Sequence, residues 1–262
     1  MNTNLSKPIR LRGHAVSDGR EPLICAPLVA RDMDALRVEA ANVIAKKPDL
    51  LEWRVDFFRA IADTTRVVEA AGMLRGLATG IPIVFTRRSI REGGQNIDAS
   101  EDQVSSVIEA VCAEGWVDFV DCELSSEPEH FQRARAAAAS CGALLIGSFH
   151  DFSRTPDANE IIGKFAAAKD LGADLAKVAV MPRDIDDVLT LLHATLQGSR
   201  TFDLPLITMS MGAYGSLTRL FGWMFGSSVS FAVGDRASAP GQVPIEDLRR
   251  VLEVLERSLH AS

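Results

Sequence analysis

Eight short apolar runs, each followed by a helical pattern, succeed one another along the chain, and no other feature restricts the fold as much. The strand-like runs are Leu23–Leu28, Leu50–Val55, Ile81–Thr86, Val117–Glu123, Ala143–His150, Asp174–Val180, Leu206–Met211 and Val229–Gly234. Helical periodicity follows each, at about Met33–Lys46, Thr65–Ala78, Glu101–Cys112, His130–Ser140, Ala158–Asp170, Ile185–Gln197, Leu217–Phe225 and Ile245–Leu259. Repeated strand–helix units build a parallel sheet. Eight of them in about 250 residues is the usual content of a (β/α)8 TIM barrel. A doubly wound open sheet is the competing architecture. It favours a Gly-rich turn after the first strand, and here that turn reads Pro27-Leu28-Val29-Ala30-Arg31-Asp32. The expectation is an α/β chain with one barrel domain over residues 1–262. Residues 8–20 hold a turn signal at Ser17-Asp18-Gly19 and suit a β-hairpin closing the bottom of the barrel.

Composition removes several functional classes. The net charge is −7 with acids and bases interspersed, and there is no basic stripe with interleaved aromatics, which speaks against nucleic-acid binding. No segment approaches the roughly 20 apolar residues of a membrane span, and Met1–Arg12 has no apolar leader-like stretch. Cys25, Cys112, Cys122 and Cys141 lack the spacing of a zinc site or a redox pair and read as reduced core residues. A cytoplasmic protein without metal is the expectation.

Alternation along the strands assigns directions. In Leu51-Glu52-Trp53-Arg54-Val55 the apolar row Leu51, Trp53 and Val55 suits the helix layer, so Glu52 and Arg54 point into the barrel. By the same rule Phe119, Asp121 and Glu123 share a face, as do Leu144, Ile146, Ser148 and His150. In Leu175–Val180 the inward residues are Leu175, Lys177 and Ala179. Lysine is almost never fully buried without a partner. Desolvation lowers its pKa, and a neutral amine attacks carbonyls. The plainer reading is a lysine whose head reaches solvent or a carboxylate. Polar residues converging from several strands at their C-terminal ends are where barrel enzymes place their chemistry. Lysine among arginines suits an anionic carbonyl substrate.

Three loops invite a function, each with a plain alternative. Arg87-Arg88-Ser89-Ile90-Arg91-Glu92-Gly93-Gly94-Gln95 reads as a mobile, positively charged loop or simply a solvated one. Ser210–Ser216 reads as an anion-binding turn before a helix or as an ordinary βα turn. Gly234–Pro244 reads as a lid or as an ordinary eighth loop.

Taken together, the motifs resemble those of the type I 3-dehydroquinate dehydratase family. They are Glu52-Trp53-Arg54-Val55-Asp56; Thr86-Arg87-Arg88 followed by Glu92-Gly93-Gly94; Gly147-Ser148-Phe149-His150-Asp151-Phe152; Ala176-Lys177-Val178-Ala179; Met209-Ser210-Met211-Gly212; Arg219; and Ser238-Ala239-Pro240-Gly241-Gln242. The resemblance spans nearly the whole chain and implies a (β/α)8 barrel. It also implies a lyase that dehydrates 3-dehydroquinate by syn elimination through a lysine Schiff base, in the shikimate pathway, as a homodimer without cofactor. It carries the catalytic roles to Lys177, His150 and Glu92, with Glu92 orienting the histidine. Substrate contacts fall on Glu52, Arg54, Arg88, Arg219, Ser238 and Gln242. Where some members have a serine near the end of the first strand, this chain has Pro27. A class I Schiff-base aldolase and a non-catalytic quinate-pathway sensor are the alternatives.

Overall fold

In the computed structural model, which describes residues 6–260, strands β1 (Ile9–Leu11) and β2 (His14–Ser17) form an antiparallel hairpin ahead of eight parallel strands. These are β3 (Leu23–Leu28), β4 (Leu50–Arg54), β5 (Ile83–Thr86), β6 (Phe119–Glu123), β7 (Leu144–Asp151), β8 (Leu175–Val180), β9 (Leu206–Ser210) and β10 (Val229–Phe231). From β3 to β9 each strand pairs with the next, and β10 pairs with β3 on its other side, meeting β9 only through the bridge Leu206–Ser227. The last seam is narrow. Ser228 N donates to Leu206 O at 2.7 Å, and Thr208 N donates to the Ser227 hydroxyl at 3.0 Å. The eight-unit barrel read from the alternation of patterns is the architecture found.

The helices are α1 (Met33–Ile44), α2 (Thr64–Leu77), α3 (Glu101–Ala113), α4 (Pro128–Cys141), α5 (Ala158–Asp170), α6 (Ile185–Thr201), α7 (Ser216–Phe221) and α8 (Ile245–His260). Their starts are written locally. Side chains of Asp32, Asp63, Ser100, Asp157 and Asp184 accept from amides of the first turn of α1, α2, α3, α5 and α6. Gln103 returns the bond at Ser100 and completes a capping box.

The two faces of the sheet carry different chemistry. Outward, Leu51, Trp53 and Val55 join one apolar layer with the helices, and Ala176, Val178 and Val180 join another. Trp53 is fully buried, with Phe58 and Phe85 edge-on at 5.7 and 5.5 Å. Each fully buried side chain of this size contributes about 1.5–3 kcal/mol. This layer therefore carries the cost of a polar barrel interior. Inward, Leu23, Cys25, Leu50, Val84, Phe119, Ile146 and Leu175 fill the lower barrel, with Ile9 of the hairpin inserted among them.

The hairpin closes the bottom as expected, but its turn is not at Ser17–Gly19. It lies at Arg12-Gly13, with φ of +48° and +83°. Two left-handed residues make the turn that matches strand twist. Arg-Gly is a weaker signal for it than Asn-Gly. Asp118 ties the hairpin down, taking Arg12 Nη1 at 2.6 Å, Arg75 Nη2, and the Ile83 amide at 2.8 Å. Cys25, Cys112 and Cys122 are buried, Cys141 is half-buried, and all four thiols are free. Among the described residues no helix is long and apolar enough to cross a membrane.

Candidate active site

The ladder that fills the lower barrel with apolar side chains fills its upper end with charge. Moving up each strand by two residues replaces Leu50 by Glu52, Val84 by Thr86, Phe119 by Asp121, Ile146 by Ser148 and Leu175 by Lys177. Register places Thr86 opposite Asp121, Glu123 opposite Ser148, and Ser148 opposite Lys177. Above this ring lies a cavity lined by Glu52, Arg54, Arg88, Glu92, His150, Lys177, Arg219, Ser238 and Gln242. Gly93, Phe152, Ala179, Met209, Met211, Phe231 and Ala239 complete the wall. All nine residues singled out from the sequence therefore meet at one cavity.

Lys177 is 3% exposed. Its Nζ donates to Glu52 Oε1 at 3.0 Å and Asp121 Oδ2 at 2.9 Å, and sits 4.5 Å over the Phe231 ring. The sequence left the protonation of this lysine open between desolvation and a carboxylate partner. Burial pushes its pKa down, but Asp121 and Glu52 outweigh burial and raise it above the ordinary lysine value. Both sequence readings of this residue hold in part: its head reaches carboxylates, yet it is buried at a cavity wall.

His150 and Glu92 form the second element. Glu92 Oε2 takes the His150 amide at 3.0 Å and lies 3.0 Å from His150 Nδ1, while Ser125 Oγ donates to Glu92 Oε1 at 2.7 Å. Burial, with Arg88 and Lys177 nearby, holds His150 well below the ordinary histidine range, so it is neutral at pH 7. Burial first, and then the charge of Glu123, pushes Glu92 up to about 7. With an ionised Glu92 as partner, Nδ1 carries the proton and Nε2 is left as a base.

The loop that delivers Glu92 is folded inward at Arg88 and Glu92, unlike the solvated loop that was the plainer of its two sequence readings. Arg88 is 2% exposed and Glu92 5%. Arg88 donates to Glu123 at 3.1 Å, Ser148 at 2.9 Å and Asp121 at 2.7 Å. The two glycines make the fold-back possible. A Cβ on Gly93, at φ +83°, would come within 2.3 Å of the Phe152 ring, and one on Gly94 within 1.9 Å of the Arg88 carbonyl oxygen. Arg54 is held two-pronged by Asp56 at 2.8 Å, and Asp56 also takes the Arg88 and Gln95 amides.

Across the cavity stands Arg219, 2% exposed. Its Nη1 and Nη2 donate to the carbonyls of Phe231 at 3.1 Å and Pro240 at 3.3 Å, and its buried Nε has no partner. Among the described residues no carboxylate pairs with it, and burial pulls it down to about 10, still charged at neutral pH. The turn Ser210–Ser216 is knitted to the start of the helix that follows it. The Gly215, Leu217, Thr218 and Arg219 amides are bonded to carbonyls within the turn. That turn serves to place Arg219. In the loop after β10, Ser238 N donates to Gln242 Oε1 at 3.0 Å and Gln242 Nε2 to Ser238 Oγ at 3.3 Å. Gly212 N donates to Pro240 O at 3.2 Å and joins this loop to the cavity rim. Among the described residues no group of three or more His, Cys, Asp or Glu side chains is arranged to hold a metal ion.

A model of the type I 3-dehydroquinase family matches residues 24–258. The chain belongs to the type I 3-dehydroquinase family. It is 60% identical to the 3-dehydroquinate dehydratase of Aromatoleum aromaticum, over 97% of this chain and 98% of that one. The crystal structure of 3-dehydroquinate dehydratase from Geobacillus kaustophilus superposes with a TM-score of 0.93 at 49% identity, covering 97% and 98% of the two chains. The type I enzyme of Clostridium difficile, described with covalently modified comenic acid, superposes at 0.90 with 35% identity, covering 97% and 99%. For a chain of this family, Pro27 is buried beside Glu52 in the ladder and offers no donor. Glu52 Oε1 instead takes Thr86 Oγ1 at 3.1 Å and Lys177 Nζ. Asp121, Ser125 and Asp56 were not among the site residues expected from the sequence. Alternation had turned Asp121 inward, but nothing local announced Ser125 or Asp56 as partners of Glu92 and Arg54.

Proposed function

We propose that this enzyme converts 3-dehydroquinate to 3-dehydroshikimate, a step of the shikimate pathway, by syn elimination through an imine on Lys177. One observation carries the reading: a buried lysine, a neutral histidine with an unprotonated nitrogen, and an arginine without a carboxylate partner line the same cavity. The names of the close relatives support the substrate. The covalently modified ligand of the Clostridium difficile relative fits a cavity that holds a nucleophile.

The chemistry balances without an external proton source. An ammonium and a ketone give an iminium and water, so two of the three hydrogens on the Lys177 nitrogen leave with the C3 oxygen, relayed by the neutral imidazole. The iminium acidifies the C2 proton, which His150 removes. The resulting enamine expels the C1 hydroxyl with that proton, and water then releases the enone and the free lysine. The scheme calls for no metal or redox cofactor, because the iminium is the electron sink. Arg219 takes the substrate carboxylate, its rigid fork suiting a two-pronged contact. Glu52, Arg54 and Arg88 face the ring hydroxyls, and Ser238 and Gln242 close the open side.

Adding 3-dehydroquinate to the protein should produce the absorbance of a conjugated enone. Its absence, with sugar phosphates cleaved instead, would favour an aldolase. Binding of 3-dehydroquinate without enone would favour a sensor.

The rate should have an acid limb near pH 7, because Glu92 is pushed up to about 7 and its ionised form orients the imidazole. As pH falls through that value Glu92 takes a proton, Nδ1 loses its anionic acceptor and turnover declines. His150, held far lower, does not supply a limb there. In Glu92→Gln the limb should vanish and the plateau drop. A kcat profile over about pH 5–9 decides it, and an unchanged limb in the variant excludes Glu92 as its source.

A cytoplasmic homodimer belongs to the same proposal. The dimer is supported by large apolar side chains left exposed, Ile185 and Leu189 on α6, Leu217 on α7, and Met224, each at least 38% exposed. Light scattering should return twice the mass of the chain, and a monomer mass would remove the dimer.

A further inference from the structure

Lys177 has two carboxylate partners, and the cavity treats them differently. Glu52 lines the cavity and also accepts from Thr86. Asp121 lies beneath it without lining it, 2% exposed, with Oδ2 on Lys177 Nζ at 2.9 Å. Its Oδ1 is taken by Arg88 Nη2 at 2.7 Å and Ser148 Oγ at 2.6 Å. Asp121 is therefore sealed from substrate and fixed by three donors on different segments.

Imine formation changes the donor count at this nitrogen. An ammonium carries three N–H donors, whereas a ketone-derived iminium carries one. Lys177 can then keep only one of its two carboxylate hydrogen bonds. The partner fastened from below is the one positioned to keep it, and the partner open to the cavity is released toward substrate.

We propose that Asp121 is a positioning residue for the reaction: the permanent anion that holds the Lys177 nitrogen at one point of the cavity floor, first as an ammonium and then as an iminium. Glu52 is the exchangeable partner, free to turn to a ring hydroxyl once the imine has formed. This rests on the imine reading above.

The charged groups facing Lys177 are Glu52 from β4, Asp121 from β6 and Arg88 from the loop after β5, with the titratable but neutral His150 from β7 beside them. Burial works against ionisation of Asp121, but Arg88 and Lys177 outweigh it and hold its carboxyl well below the usual range. Asp121 therefore stays ionised throughout the working pH range. Its charge keeps Lys177 protonated until substrate arrives. Without it, Glu52 alone would oppose burial and Arg88, and the amine would lose its proton at lower pH.

Trace acetylation of Lys177 with acetic anhydride, without substrate, reads this directly by mass spectrometry of the peptide that holds it. In the unsubstituted protein, labelling should still be rising at pH 10.5, the ordinary lysine value. In Asp121→Asn the midpoint should fall by at least about one unit. Asp121→Glu, which keeps the charge, should restore the midpoint while turnover stays low. A purely structural role would lower labelling without moving the midpoint. The same midpoint in Asp121→Asn and unsubstituted protein would overturn the proposal. So would a plateau below pH 10.5 in the unsubstituted protein, which needs no variant to fold. Failure of the imine reading would show separately, as the absence of a borohydride adduct on Lys177 in the presence of 3-dehydroquinate.

Discussion

Lys177→Ala should lower turnover of 3-dehydroquinate by at least about 10⁴-fold, the scale on which removal of a covalent nucleophile acts. The C2 proton is acidified only while a cationic nitrogen at C3 can receive its electrons, and no other lysine lines the cavity. Borohydride added with substrate should give a stable secondary amine on the peptide holding Lys177, and the alanine variant should give none. The substitution also acts on stability, in a direction that can be worked out. It leaves Glu52 and Asp121 buried without the ammonium that bridged them at 3.0 and 2.9 Å. Breaking such a buried pair costs about 3–5 kcal/mol. Thermal melts should therefore place the variant below the parent. Turnover within about tenfold of the parent, or an adduct on another peptide, would remove Lys177 from the role of nucleophile.

The barrel and the inward turn of its charged residues were legible because both depend on local pattern. Leu51, Trp53 and Val55 must find the helix layer, and a two-residue period then sends Glu52 and Arg54 inward. The same rule worked on β8, where Ala176, Val178 and Val180 left Lys177 facing the cavity. The protonation of Lys177 was not legible because it depends on partners far away in the chain. Asp121 and Glu52 lie 56 and 125 residues from it, and only barrel closure brings their charges to bear. Burial alone would lower the amine, and burial is the part a sequence reveals. Arg219 belongs to no strand. It sits on a six-residue helix whose turn amides are bonded internally, so periodicity does not mark it and family motifs do. The hairpin was placed correctly and its turn was not, because Arg12 adopts a left-handed backbone that its side chain does not advertise.

His150→Ala should reduce kcat by about 10²–10⁴-fold, the range for a positioned general acid–base group, while leaving Lys177 able to form an imine. The two effects separate because the nucleophile and the base sit on different strands. Lys177 is held by Glu52 and Asp121, and neither hydrogen-bonds to the imidazole. Glu92 would lose the Nδ1 contact but keep the His150 amide and Ser125 as donors, so its loop should stay in place. Borohydride should therefore still trap an adduct in the variant, formed more slowly because the imidazole also carries the lysine's proton. KM should change less than kcat, since Arg219 and the arginines of the ring remain. The acid limb near pH 7 should disappear with the histidine, because an ionised Glu92 would no longer have an imidazole to orient. Single-turnover kinetics with rapid borohydride quench would measure imine formation and enone release in one experiment. Enone release within about tenfold of the parent would exclude His150 as the group that moves the C2 proton.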